Sequence, residues 1–305
     1  MKAAQIHDYE SEPVIEDIPT PDIGADDVLV RVAAASMNPL DVKLQKGYLH
    51  DFFPLEFPYT MGTDLAGMIE RVGSNVTGWS ENDKVVARVD PTSGGAMAEL
   101  AVVPASYLVN APTSVSIERA AGIPTTGGTA WQALFDVAGL QRDQTVLVHA
   151  GAGGVGSFAI QFAHAAGARV IATASGTGID LARRLGADEV IDYRSHDFTE
   201  MVSDVDVVLD TVGGETQQRS VEVVRPGGVL VSVPAPPEPG TGEGRDVKIL
   251  GIVHNSDAAL LKKVVDSVAG GTEILVDRTV PLGALKDAFA HQASGHAHGK
   301  IVLTI

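Results

Sequence analysis

Thr145-Val146-Leu147-Val148-His149-Ala150-Gly151-Ala152-Gly153-Gly154-Val155-Gly156 decides the fold. An apolar strand runs into Gly-x-Gly-x-x-Gly, and an apolar stretch of helical length follows. Gly151 suits a tight strand-to-helix turn, Gly153 lets a pyrophosphate approach the backbone, and Gly156 lets the helix lie close to the sheet. The helix N-terminus offers free N–H groups and partial positive charge to phosphate. Gly151, Ala152, Gly153, Gly154, Val155 and Gly156 are therefore assigned to a dinucleotide.

Downstream, strand and helix alternate. Strands are expected at Thr145–His149, Arg169–Ala174, Glu189–Asp192, Val205–Asp210, Val229–Val233 and Val247–Val253, with helices at Gly154–Ala166 and Asp180–Leu185. Near-continuous apolar strands joined by helices form a parallel sheet covered on both faces. Upstream, the short apolar runs Val28–Val32, Leu65–Val72 and Lys84–Val89, set between turn clusters, read as a β-rich domain. Ser116 is placed to cap a helix starting at Ile117, and a second helix is expected after Thr129. The Pro/Gly/Glu-rich segment Ala235–Arg245 reads as a mobile surface loop, Leu260–Val268 as an amphipathic helix and Lys300–Ile305 as a closing strand. The fold class is α/β: a doubly wound Rossmann sheet plus a β-rich domain.

The second strand ends in Ala174-Ser175-Gly176-Thr177-Gly178, and no acid occurs between Asp143 and Asp180. NAD-binding versions place a carboxylate at that strand end to hold the ribose 2′-hydroxyl. A small polar loop leaves room for a 2′-phosphate, so the expected cofactor is NADPH. Ser175 and Gly176 belong to that pocket, and Tyr193 and Arg194, after the third strand, are within reach. Arg183 is another candidate cation, read more simply as a solvated charge.

With 22 basic and 39 acidic residues the net charge is −17, which argues against nucleic acid and anionic membrane surfaces as partners. Cysteine is absent, which removes disulfides, thiolate catalysis and Cys-ligated zinc. The N-terminal stretch does not read as a signal peptide, and the expected location is the cytoplasm. The long weakly charged stretch between Asp143 and Asp180 is interrupted by patterned glycines and reads as buried strand and helix, not as a membrane span.

The order of motifs resembles the zinc-free quinone oxidoreductase branch of the medium-chain dehydrogenase/reductase superfamily. The resemblance runs through Ala35-Ser36-Met37-Asn38-Pro39-Leu40-Asp41, Gly62-Thr63-Asp64-Leu65-Ala66-Gly67 and Pro124-Thr125-Thr126-Gly127-Gly128-Thr129-Ala130-Trp131. It continues through the glycine motif, Leu185-Gly186-Ala187-Asp188-Glu189-Val190-Ile191-Asp192-Tyr193 and His298-Gly299-Lys300-Ile301-Val302-Leu303. It implies a GroES-like catalytic domain over 1–116, a Rossmann domain over 117–256 and a returning segment over 257–305. Zinc-dependent cousins carry Cys where Asn38 stands and Gly-His-Glu where this chain reads Gly62-Thr63-Asp64, so no metal is expected. His291, His296 and His298 read as a surface cluster.

The resemblance makes Asn38, Asp41 and Lys43 the catalytic candidates and places Thr129 near the cofactor. Asn38-Pro39 with Asp41 reads equally as a turn with a capping carboxylate, Lys43 as a solvated lysine and Thr129 as a helix cap. Tyr48 and Tyr59 are nearby aromatics, read as core or wall. The implied activity is hydride transfer to a small-molecule quinone or enone. An enoyl-thioester reductase and a catalytically silent NADP(H)-binding sensor stay open as rivals. The apolar run Val247–Val253 at the sheet edge suggests a homodimer through that strand.

Overall fold

The computed structural model describes residues 1–237, 240–255 and 257–305. It divides into two compact units, Met1–Thr125 with Ser256–Ile305, and Thr126–Asn255. The division falls later than the change of rhythm in the sequence suggests. The helix Ile117–Ala120, capped by Ser116 through the Arg119 N–H, belongs with the first unit: Ser36 Oγ donates to Ala121 O at 2.8 Å.

In the first unit a seven-stranded sheet is built around Asp27–Met37, which pairs antiparallel with Asp64–Val72 and with Lys300–Thr304. The register Ile301↔Met37 brings the C-terminal segment back beside the strand that leads to Asn38. Lys84–Arg88 and Leu100–Pro104 extend the pairing, and a smaller sheet joins Val14–Asp17, Lys2–Ile6 and Tyr59–Thr60. Ile6, Val30, Met37, Met61, Leu65, Ile69 and Ile301 fill the core. The helix Ala258–Ala269, capped by Asp257, buries Leu260, Leu261, Val264, Val265 and Val268, the apolar stripe its sequence carries.

The second unit holds a parallel six-stranded sheet in the order Glu189–Asp192, Arg169–Ala174, Thr145–Val148, Val205–Asp210, Val224–Ser232, Val247–Gly251. Numbered within the unit, this is the doubly wound order 3-2-1-4-5-6, whose strand order reverses beside Thr145–Val148. Registers Ile171↔Leu147, Leu209↔Val148 and Ala174↔Asp192 align the carboxyl ends of four strands. The helix Gly154–Ala165 buries Phe158, Ile160 and Phe162 against them.

Three expectations change. The second helix starts at Pro124, not after Thr129, and continues from Gln132 to Val137 as a π-helix. Proline pre-sets the first helical φ, and two glycines do not outweigh tertiary packing: a Cβ on Gly128 would lie 2.2 Å from the His254 ring. Thr129 is therefore a buried mid-helix residue, not a cap. The fifth strand starts earlier, at Val224, and passes through Pro226-Gly227-Gly228 by way of a register shift. The edge strand is shorter, Val247–Gly251, and Ile249 packs against its own unit's core. Of the segment Ala235–Arg245, Glu238 and Pro239 lie outside the described residues.

Candidate active site

The glycine loop sits at the end of the first strand of the parallel sheet. Its left-handed residue is Ala150, with φ +49°, not Gly151. Gly151 is required for space instead: a Cβ there would lie 2.9 Å from both Ala172 Cβ and Ile160 Cδ1. A Cβ on Gly156 would meet Ala150 O at 2.3 Å, so the helix lies on the loop itself. Gly153 is the N-cap of the twelve-residue helix and supplies no side-chain cap. The N–H groups of Gly154, Val155 and Gly156 lack intrahelical acceptors. Ala152 is buried in the turn between them and the strand.

At the next strand end, the register Ala174↔Asp192 sets Ser175 beside Tyr193, and Ser175 Oγ donates to Tyr193 Oη at 2.9 Å. Gly176 turns away with φ +54°. Tyr193 is half exposed, and the Arg194 N–H donates to Asp192 Oδ1 at 3.0 Å. Arg183 pairs with Asp180 at 3.4 Å on the surface. Ser175, Gly176 and Tyr193 thus come together. The uncapped helix start fits the pyrophosphate of a dinucleotide.

In the first unit Asn38, the first of the residues expected to be catalytic, lies on a buried polar network. Asn38 ends the long strand and precedes the helix Pro39–Gln45. Its Nδ2 donates to Asp64 Oδ2 at 3.0 Å, and its Oδ1 accepts from Lys300 Nζ. Lys300 also donates to Met37 O at 2.7 Å and stands 3.8 Å from Asp64 Oδ2. Asp64 further accepts from the Thr125 N–H at 3.2 Å and from Thr125 Oγ1 at 2.6 Å, and Ser36 Oγ, whose proton goes to Ala121 O, lies 3.4 Å away. Arg88 Nε donates to Thr125 Oγ1 at 3.1 Å. All five side chains Ser36, Asn38, Asp64, Arg88 and Lys300 are buried, and burial lowers the pKa of Lys300 and Arg88.

Asp41 Oδ2 accepts from the Asn38 N–H at 2.7 Å, the capping role open to it from sequence. Its Oδ1 is buried with no hydrogen-bond partner. Burial, with the charge of Asp64 adding to it, raises the Asp41 pKa from 3.8 to about 7. Lys43, two residues on in the last turn of the same helix, is half-buried, and desolvation lowers its pKa. Tyr59 is core, donating from Oη to Pro91 O at 2.7 Å, and Tyr48 is exposed. Asn38 and Asp41 thus form the capped start of the helix whose last turn carries Lys43, whereas Thr129 belongs to the other unit.

The motifs Gly62-Thr63-Asp64 and His298-Gly299-Lys300 were legible as family marks without a role. A lysine opening an apolar strand, Lys300-Ile301-Val302-Leu303, was the signal available. His291 faces Asp277 at 2.9 Å, and among the described residues no group of three or more His, Cys, Asp or Glu is placed to hold a metal. Likewise among the described residues, no helix is long and apolar enough to cross a membrane.

Residues 24–113 match the family model for the alcohol dehydrogenase GroES-like domain, and residues 185–303 the model for zinc-binding dehydrogenase. The chain is 34% identical over 302 residues to the chloroplast envelope quinone oxidoreductase homolog of Arabidopsis thaliana, covering 94% of this chain and 92% of that protein. It is also 34% identical over 319 residues to an NADPH-dependent alkenal/one oxidoreductase, chloroplastic, of Arabidopsis thaliana, covering 99% of this chain and 79% of that one. The solved quinone oxidoreductase from Coxiella burnetii superposes with a TM-score of 0.91 at 30% identity, over 100% of this chain and 99% of that one.

Proposed function

The chain belongs to the zinc-free quinone and enone reductase branch of the medium-chain dehydrogenase/reductase superfamily, and on that premise we propose that it is an NADPH-dependent reductase of small quinones or α,β-unsaturated carbonyls. The observation that carries the reading is the uncapped helix start behind Gly151–Gly156, at the strand-order reversal of a doubly wound sheet. The N–H groups of Gly154, Val155 and Gly156 would hold the pyrophosphate. Ser175 and Tyr193 would donate to the 2′-phosphate, with Arg194 adding charge beside them, and Thr129 would line the cofactor.

When bound, NADPH supplies a hydride. The residues of this chain hold the acceptor. A conjugated carbonyl gains negative charge on oxygen as hydride reaches the β-carbon, so a donor placed at that oxygen lowers the barrier. Lys43 is assigned that role. Asn38 and Asp41 position it: the Asn38 amide is committed to Asp64 and Lys300, and Asp41 fixes the first turn of the helix that carries Lys43. The proton that completes the reduction comes from solvent to the α-carbon, or to oxygen in a quinone.

We also infer a homodimer through the edge strand Val247–Gly251, where Lys248, Leu250 and Gly251 are exposed. Titration with NADPH and NADH, then turnover with a panel of quinones and enones, tests the functional reading. Tighter NADPH binding with turnover of at least one acceptor class is expected. Tight binding without any turnover would favour the sensor, and loss of activity on chelation would overturn the zinc-free chemistry.

A further inference from the structure

Behind the glycine loop lies a buried histidine that the reaction does not use. His149 is 1% exposed, with Thr173 and Ser220 on either side of its ring, both buried. Nδ1 is 3.1 Å from Thr173 Oγ1, and Nε2 is 2.9 Å from Ser220 Oγ. The direction of every proton in this chain follows from its ends. Ser220 Oγ lies 2.6 Å from Thr216 O, a carbonyl that only accepts, so the Ser220 proton points there. Ser220 Oγ must then accept from His149 Nε2–H. That leaves Nδ1 as an acceptor, which takes the Thr173 hydroxyl proton. Thr173 Oγ1 is thereby turned to accept the Ala150 N–H at 3.2 Å, while the Thr173 carbonyl accepts the Gly151 N–H at 2.8 Å. Burial lowers the His149 pKa from 6.5 to about 4, consistent with the neutral ring this bookkeeping requires.

Ala150 is where the chain must be held. It is a non-glycine residue at φ +49°, a conformation L-residues disfavour. Its carbonyl accepts the Gly153 N–H at 2.9 Å and touches the helix at Gly156. The orientation of this one residue therefore sets where the helix N-terminus points.

We propose that Thr173, His149 and Ser220 form a fixed hydrogen-bond relay that holds Ala150 left-handed and so presets the phosphate-binding loop. They are positioning residues for the dinucleotide, and the proposal rests on the reading of that loop as the dinucleotide site. In a loop so held, affinity is not spent on turning Ala150 over when the ligand arrives.

Thr173→Val keeps the shape and removes the acceptor for the Ala150 N–H. It should weaken NADPH binding about tenfold, the scale of one unsatisfied buried group. Thr173→Ser retains the hydroxyl and should bind within about twofold of the parent. Ala150→Gly, placed in the Thr173→Val protein, removes the cost of the left-handed residue and should restore most of the affinity. A merely structural role would not give that restoration. Equal binding by Thr173→Val and the parent, or no restoration by Ala150→Gly, overturns the relay. If Thr173→Val does not fold, His149→Phe measured with and without Ala150→Gly decides by the same criterion. A parent protein that binds neither NADPH nor NADH overturns the dinucleotide reading, and the relay with it; a parent that binds while Thr173→Val binds equally overturns the relay alone.

Discussion

Lys300→Met tests whether the buried ammonium holds the first unit together at the point where Asn38 is fixed. Lys300 reaches Asn38 Oδ1, Met37 O and the neighbourhood of Asp64 Oδ2 from the last strand of the chain. Removing it leaves Asp64 as a buried charge with Arg88 as its nearest remaining cation and strips a donor from two acceptors. Breaking a buried pair from one side costs about 3–5 kcal/mol, and the two orphaned acceptors place this variant at roughly 4–5 kcal/mol. Asp64→Asn makes the same cut from the other side. The new amide can set its oxygen where Oδ2 accepts from Asn38 and the Thr125 N–H, and its NH₂ toward Thr125 Oγ1, a hydroxyl that can also accept. The bonds to Asn38 and the Thr125 N–H survive, the Thr125 hydroxyl proton must turn elsewhere, and the main cost is the ammonium left without Asp64, about 3 kcal/mol. The double variant holds no net buried charge from the pair. With only the orphaned acceptors left, its loss should fall below that of Lys300→Met alone, well short of the roughly 8 kcal/mol of simple addition. Trp79 packs against this unit's core and reports its unfolding in urea once Trp131 is replaced by Phe. Additive losses in the double variant, or a loss under about 1 kcal/mol for Lys300→Met, would refute the pairing.

Ser175→Asp restores an acid at the second strand end; it should cost NADPH at least tenfold in affinity while sparing NADH, read by fluorescence titration of both. His149 contributes a pH dependence of known sign: the unfolded chain takes its proton near 6.5 and the folded one near 4, so stability rises with pH across that window. The span amounts to roughly 3 kcal/mol, opposed by Asp41, which binds its proton more tightly when folded. Because the Asp41 contribution covers the same window with opposite sign and at least equal size, the His149→Phe protein should lose stability relative to the parent as pH rises between those values in urea titrations, and a parallel curve would refute the buried neutral ring. Leu250→Pro removes a donor from the edge strand and should turn a dimer into a monomer by light scattering; an unaffected dimer would place the interface elsewhere.

What the sequence disclosed followed from local rules. The run from Thr145 to Gly156 carries strand, turn and helix in consecutive residues, Ser116 announces its helix, and the apolar stripe of Ala258–Ala269 is periodic. What it hid depends on partners far apart in the chain. Lys300 and Asp64 each open an apolar strand, and either alone reads as a solvated end; only the antiparallel register of Lys300–Thr304 with Asp27–Met37 brings Lys300 to Asn38. Ser175 and Tyr193 were named for one pocket, but their hydrogen bond depends on the parallel register Ala174↔Asp192. The left-handed Ala150 was missed because glycine next to it looked like the residue that needed the freedom. Gly151 turned out to be needed for the space between Ala172 and Ile160. Thr129 reads locally as a possible cap, but the helix starts at Pro124 and runs on through Gly127 and Gly128, where His254 packs close.

Transfer of label decides the function most directly. The protein would be supplied with NADPH deuterated at its transferable position and, in separate reactions, with an enone and a quinone, and the products read by mass spectrometry. With the enone, one deuterium should appear on the β-carbon and none on the carbonyl carbon; with the quinone, labelled NADPH should be consumed in step with hydroquinone formed. Deuterium on the carbonyl carbon would make the protein a carbonyl reductase instead. No oxidation of NADPH by either acceptor would contradict reductase chemistry in this chain altogether.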